Sequence, residues 1–299
     1  MALITCPDCG KRISSMAEAC PDCGYPVKLL INNAETGNNK NIDRADLIEQ
    51  IADALQYNSS AGEPNYDDAL DMLKNDNKLA ILLAYKHLDI VKDKEITISF
   101  GNYNDCTEWI PLATGNKKIL IISKYVVCEK CALSDEVFEE DEIIYDENGD
   151  YIGEYITWEN SNYREWLNSE YLSKAFSIDE QSLILQTNIS SFDLEGGNNT
   201  LDRIFLLSVD EATKYFESDS DRQGTFKDGS VTDWVLRDNT HAIEFPFPDR
   251  FSAVSRGQRY SVDGEIWYKG SGEIRDNYTG FEDEIGMRPA MWLDISSLL

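Results

Sequence analysis

The chain has 299 residues, with 27 Lys and Arg against 55 Asp and Glu, a formal net charge of −28 at pH 7, and 42% hydrophobic residues. That length suits one small module plus a domain of about 200 residues, and the hydrophobic share supports a packed core. So negative a field repels nucleic acids and anionic membrane surfaces, and neither is expected as a partner.

Residues 1–28 carry two copies of C-P-D-C-G, with Cys6 and Cys9 in the first and Cys20 and Cys23 in the second. Four thiolates close a tetrahedral structural zinc site. Gly10 and Gly24 follow each pair, where glycine lets the backbone turn so that amides face sulfur. One structural zinc per chain is the expectation. A redox C-x-x-C belongs in a βαβ setting and needs no twin. Disulfides need an oxidising compartment. The sequence starts with no apolar stretch of signal-peptide length, and no later run is long and apolar enough for a membrane span. Reduced cysteines and a cytoplasmic location are therefore expected. The short middle between the pairs resembles the small zinc ribbons found at the N-termini of many bacterial proteins.

Residues 29–42 read as a flexible polar linker. A helical spacer follows over 43–92. Asp43 can cap a helix whose apolar face is Leu47, Ile48, Ile51, Ala52 and Leu55, a 3.6-residue period. Tyr66, Ala69, Leu70 and Leu73 form a second stripe, and Leu79, Leu82, Leu83 and Lys86 a third. The phrase N-Y-D-D-A-L-D-M-L resembles half of a tetratricopeptide repeat, without a second copy.

From residue 93 the pattern turns to strands. Expected strands are Glu95–Phe100, Trp109–Leu112 and a fully buried Lys118–Ser123. Ile143–Tyr145 and Tyr151–Thr157 flank Asn148-Gly149, a type I′ hairpin signal. Residues 135–150 hold nine acids and no base, a solvated hairpin tip in which glycine falls at the wrong offset for a calcium loop. A helix carrying Tyr163, Trp166 and Leu167 is capped by Asn160 or Ser161. Ser177…Glu180 and Ser208…Glu211 are capping boxes, with a short buried strand at Arg203–Leu207 between them. The last third is again strand-like: Trp234–Arg237, Ala242–Phe245, Tyr260–Val262, Glu265–Tyr268 and Met287–Leu293. Strands, then helices, then strands argue for an α+β domain over 93–299.

Several stretches carry a resemblance. They are I-S-F-G-N-Y at 98–103, L-I-I-S-K-Y at 120–125, T-W-E-N-S-N-Y-R-E-W-L-N at 157–168 and A-F-S-I-D-E-Q at 175–181. They continue with I-F-L-L-S-V-D-E-A at 204–212, W-V-L-R at 234–237 and G-M-R-P-A-M-W-L at 286–293. In order and spacing they resemble a bacterial family of unknown function, whose members often carry N-terminal zinc ribbons or helical repeats. The family looks like a distant relative of C-type-lectin-like folds, a group that includes formylglycine-generating enzymes and the variable proteins of diversity-generating retroelements. The resemblance implies an α+β, C-type-lectin-like domain in which the W-x-L-R and G-x-R-P segments are paired. This chain departs from the family's W-W-L-R-S, having Asp233-Trp234-Val235-Leu236-Arg237-Asp238. Residues 127–156 look like an insertion, so any ligand of the common segment can differ here.

The candidate sites are few. Cys128 and Cys131 form a third C-x-x-C near Cys106, but neither His87 nor His241 has metal-ligand spacing to them, so a reduced, partly buried pair is the plainer reading. No cysteine follows Cys131, so formylglycine-generating chemistry does not transfer. No nucleophile motif or phosphate-binding glycine loop is present. Trp158, Trp166, Trp234, Trp267 and Trp292 read as core. Trp234, Arg237 and Arg288 are expected to lie close together, as a buried structural ion pair or as an anion or glycan contact. Asp233, Asp238, Glu244 and Asp294 are the acids expected near the two arginines. The functional expectation is a non-enzymatic cytoplasmic binding or scaffold protein, with a zinc ribbon and a lectin-like domain for a small-molecule or protein ligand. Its rivals are an enzyme acting on a small molecule or peptide in the same domain, and an adaptor that docks through its ribbon.

Overall fold

A computed structural model describes residues 3–5, 11–14, 17, 44–57, 64–127, 157–190, 197–239, 250–255, 258–262, 265–269, 273–279 and 285–299. It mixes helices and strands, an α+β architecture. The four N-terminal cysteines, the 29–42 linker, Cys128, Cys131, the Asn148-Gly149 hairpin, His241 and the 242–245 strand lie outside the described residues. The chain divides into two compact units. The first comprises residues 1–99, 114–119 and 295–299, and the second residues 100–113 and 120–294.

In the first unit, β1 (Leu3–Thr5) and β2 (Arg12–Ser14) form an antiparallel ladder with Thr5 opposite Arg12. Four helices follow: α1 (Arg44–Gln56), α2 (Tyr66–Asn75), α3 (Asn77–Lys86) and α4 (Leu88–Asp93). The α1 face foreseen from its spacing is buried, joined by Ala54. Asn65 caps α2, accepting the Asp68 N–H at 3.0 Å. Tyr66 does not join the second stripe: it is 43% exposed, and Met72 lies inside instead. Every residue from Leu79 to Ala84 is buried, the pattern of a helix covered all round. The following strand starts later than its alternation suggests. Glu95 sits in the left-handed region at φ 51°, and Ile96 N–H donates to Val91 O at 2.9 Å. These residues close α4, so β3 begins at Ile98.

Most of a sheet of order β15-β5-β4-β3 falls in the second unit, with β3 (Ile98–Tyr103), β4 (Cys106–Gly115), β5 (Lys118–Ser123) and β15 (Ala290–Asp294). Ile119 to Ser123 of β5 are all buried, as a strand flanked on both sides requires. Ser161, rather than Asn160, caps α5 (Asn162–Trp166), while Asn160 accepts the Thr157 N–H at 2.7 Å. The helix widens to a π turn over Leu167–Tyr171 and resumes as α6 (Leu172–Ala175). The expected capping box Ser177…Glu180 opens α7 (Ile178–Leu183). Glu180 also accepts the Gly101 N–H at 3.0 Å. Gly101 has φ +61°, and a Cβ there would collide with the Phe176 ring.

The expected strand at Arg203–Leu207 does not form as such. Asn168 takes the N–H groups of Arg203 and Ile204 at 2.9 and 3.1 Å and donates to Ile204 O at 2.8 Å. Those backbone groups are thereby withdrawn from a ladder. Phe205 alone bridges Ala290, and the paired strands are β6 (Thr187–Ile189) and β7 (Thr200–Asp202). Then come α8 (Val209–Tyr215), α9 (Asp219–Arg222), the short pair β8 (Gly224–Thr225) and β9 (Val231–Thr232), and β10 (Trp234–Asn239). β10 pairs antiparallel with β11 (Arg250–Val254), which pairs with β14 (Ile274–Thr279). β12 (Gln258–Val262) and β13 (Glu265–Lys269) form a hairpin. Among the described residues no helix is long and apolar enough to cross a membrane.

Candidate functional site

The segment around Arg237 is held by the start of α8. Ser208 and Glu211 form the expected capping box: Ser208 Oγ accepts the Glu211 N–H and Glu211 Oε2 accepts the Ser208 N–H, each at 3.0 Å. That carboxylate has further lone pairs to offer, and the same oxygen accepts from Arg237 Nη1. Nη1 also donates to Leu206 O at 2.8 Å, and the Arg237 N–H donates to Leu207 O at 3.0 Å. The next residue, Asp238, accepts the Val209 N–H. Arg237 is buried, and its Nε has no hydrogen-bond partner among the described residues. Its acid among the described residues is therefore Glu211, not the foreseen Asp233, Asp238 or Asp294, and Glu244 lies outside the described residues. The signal for it was the capping box, whose third-position carboxylate is not exhausted by capping.

Arg237 lines a cleft of about 360 Å³, together with Thr187–Ser190, Phe205, Ser208, Asp210, Glu211, Lys214, Tyr215 and Trp292. Burial and the Glu211 carboxylate raise the Tyr215 phenol above its ordinary pKa, opposed by the Arg237 guanidinium. Lys214 Nζ lies 5.2 Å from the Tyr215 ring centroid.

Arg288 is placed differently. The bridge of Trp234 to Gly286 is parallel, and Val235 N–H donates to Gly286 O at 3.0 Å, so the W-V-L-R and G-M-R-P segments are neighbours. The Arg288 guanidinium lies 5.1 Å from the Trp234 ring centroid and 5.4 Å from that of Phe216. Its Nε donates to Ser123 O at 3.0 Å, and Nη1 is buried without a hydrogen-bond partner among the described residues. Among the described residues no carboxylate pairs with it. Burial pulls its pKa down to about 10, so the group stays cationic at neutral pH. Aromatic faces supply the attraction that an acid usually gives. Trp234 itself is fully buried, its Nε1 donating to Arg222 O at 2.9 Å. The structure thus joins Trp234 to Arg288, and Arg237 to α8.

Cys106 is half-buried with its thiol pKa pushed up by burial. His87 Nε2 lies 3.0 Å from Glu49 Oε2 in the first unit. One buried hub had no sequence signal. Asp202 accepts from Trp158 Nε1 at 2.9 Å, Arg164 Nε at 2.7 Å and Thr200 Oγ1 at 2.6 Å. Among the described residues no group of three or more His, Cys, Asp or Glu could hold a metal ion.

Residues 116–295 match the model of a family described as a domain of unknown function, DUF6273. That range takes in every resembling stretch from 120–125 onward and leaves out the one at 98–103. No curated protein and no solved structure matches the chain significantly.

Proposed function

Because the chain belongs to the DUF6273 family over more than half its length, we propose that its second unit is a non-enzymatic binding module whose ligand occupies the cleft beside Arg237. The supporting observation is how the two least exposed charged groups of the cleft, Glu211 and Arg237, are engaged. Glu211 holds both the α8 cap and Arg237, and Arg237 also holds Leu206 O. Groups fixed in this way keep a constant charge pattern, whereas a general acid or base must change protonation in each cycle. The remaining chemistry suits recognition. The side chains of Asn188, Ser190 and Asp210 make no hydrogen bond among the described residues, and they stand with Tyr215 and the Trp292 ring.

A C-type-lectin-like fold for this unit is part of the same reading, supported by the adjacency of the W-V-L-R and G-M-R-P segments. Screening polar and aromatic fragments by NMR tests the site. Shifts should cluster on residues 187–190 and 208–215 and vanish in a folded Arg237→Met chain. Shifts centred elsewhere sink the assignment, and turnover of a bound fragment favours the enzyme reading.

The N-terminal segment is proposed as a zinc ribbon with Cys6, Cys9, Cys20 and Cys23 as ligands. The β1–β2 ladder supports this, since it pairs Thr5 with Arg12 on either side of the first C-P-D-C-G. A segment this short has too little core to hold itself without metal. Elemental analysis should find one zinc per chain, lost in Cys9→Ser. None, or two, refutes it. Thiolate ligation fits a reducing cytoplasm, and the −28 charge fits a partner that is not a nucleic acid.

A further inference from the structure

One wall of the cleft is backbone. Among the described residues β6 has a single ladder partner, β7, in the register Thr187↔Asp202, Asn188↔Leu201 and Ile189↔Thr200. A strand paired on one side directs alternate N–H and C=O groups away from its partner. Among the described residues nothing hydrogen-bonds to the outward backbone groups of Thr187–Ser190, and these residues line the cleft. Proteins usually blunt such an edge with Lys, Pro or a bulge. Here Thr187-Asn188-Ile189-Ser190 has none of these, and the strand is blunted only by being short. The preceding chain already touches β15 main chain to main chain, with Ile184 in an isolated bridge to Leu293 and Leu185 N–H donating to Trp292 O at 2.8 Å. The cleft opens where the chain leaves that pairing to become β6.

Charge narrows the occupant. The chain carries −28, which slows the approach of acidic segments and speeds that of basic ones. Within the cleft, Glu211 and Arg237 neutralise each other and Lys214 offsets Asp210, so the preference for a basic segment comes from the charge of the whole chain. Asp210 is exposed and its carboxylate accepts no hydrogen bond among the described residues.

We propose that β6 is a strand-addition site for an extended, Lys- or Arg-bearing segment of a partner protein, which pairs with it through main-chain hydrogen bonds. The proposal rests on the cleft being the binding site and adds the partner class and the mode. Main-chain pairing gives affinity, and every second side chain gives specificity.

The probe is a random hexapeptide library displayed on phage and selected on the full-length protein. Enriched peptides should be rich in Lys or Arg and free of Pro. Binding of a synthetic copy should slow amide exchange at residues 187–190. Methylating its alternate amide nitrogens should weaken binding by at least about tenfold, because each lost main-chain bond counts. Asp210→Asn, which removes the charge at an exposed position in the first turn of α8, should weaken it several-fold with at most a small fall in melting temperature. If the methylated peptide binds equally well in the cleft, strand addition is wrong and the binding module stands. Enrichment of acidic or proline-rich peptides overturns the partner class. No cleft-dependent enrichment overturns the inference, and the module reading falls with it only if the fragments miss the cleft as well.

Discussion

The two arginines of the second unit solve one problem in opposite ways. Arg237 is met by a carboxylate and a main-chain carbonyl at the edge of a cleft. Arg288 is enclosed between Trp234 and Phe216 with one carbonyl, and no carboxylate pairs with it among the described residues. The acid partner keeps Arg237 next to groups that a ligand can reach. The aromatic enclosure makes Arg288 part of the core. A buried cation marks a candidate functional surface only when its partners also line one, and by that criterion Arg237 belongs to the proposed site and Arg288 to the core.

The largest expected effect tests Arg288. Arg288→Ala removes a fully buried side chain between two rings, and should cost about 3–5 kcal/mol, the scale of large-to-small core changes. Arg288→Met keeps most of the volume and strands no carboxylate but leaves the Ser123 carbonyl unmet, so its cost should fall to about 1–3 kcal/mol. Urea unfolding of both variants separates packing from charge. If Met is as damaging as Ala, the cation itself matters and the contrast with Arg237 breaks.

Arg237→Met should cost less than Arg288→Ala, about 1–3 kcal/mol, for the unmet Leu206 carbonyl and the lost partner of Glu211. It should also act on Tyr215. Removing the guanidinium takes away the cation that favours the phenolate, so the Tyr215 pKa should rise further. Glu211→Gln should lower it, since the carboxylate disfavours the phenolate. Absorbance titration of tyrosinate reads both. A raised folded pKa means stability that is complete below the ordinary tyrosine value of about 10 and is lost as pH rises through the folded value. Tyr215→Phe should flatten that alkaline loss. Tyr215 titrating identically in both variants would place it outside the reach of the pair.

The smallest effect sharpens the role of α8. Ser208→Ala removes one cap and should cost about 1 kcal/mol. Glu211 keeps its bond to Arg237, so fragment shifts in the cleft should persist. Their loss would mean that the cap, more than the ion pair, shapes the site.

Much of the fold was legible where a residue acts on its own neighbours. Ser177, Ser208 and Ser161 announced helix starts because capping is a three-residue interaction. The α1 face and β5 followed from spacing and from unbroken apolar character. Arg203–Leu207 misled because Asn168, 35 residues earlier in the chain, takes its first two amides. The late start of β3 came from a left-handed residue that carries no glycine to announce it.

By itself the sequence determined the helix caps, the amphipathic faces, the buried central strand and the family to which the chain belongs. These depend on residues within a few positions of one another, or on motif order along the chain. Only the tertiary structure decided which acid meets Arg237, that aromatic rings enclose Arg288, that Asp202 collects three donors, and that β6 lines a cleft. Each of these depends on the partner that folding brings up from a distance. A charged side chain or a strand edge is written in the sequence without its partner, and it is the partner that fixes what it does.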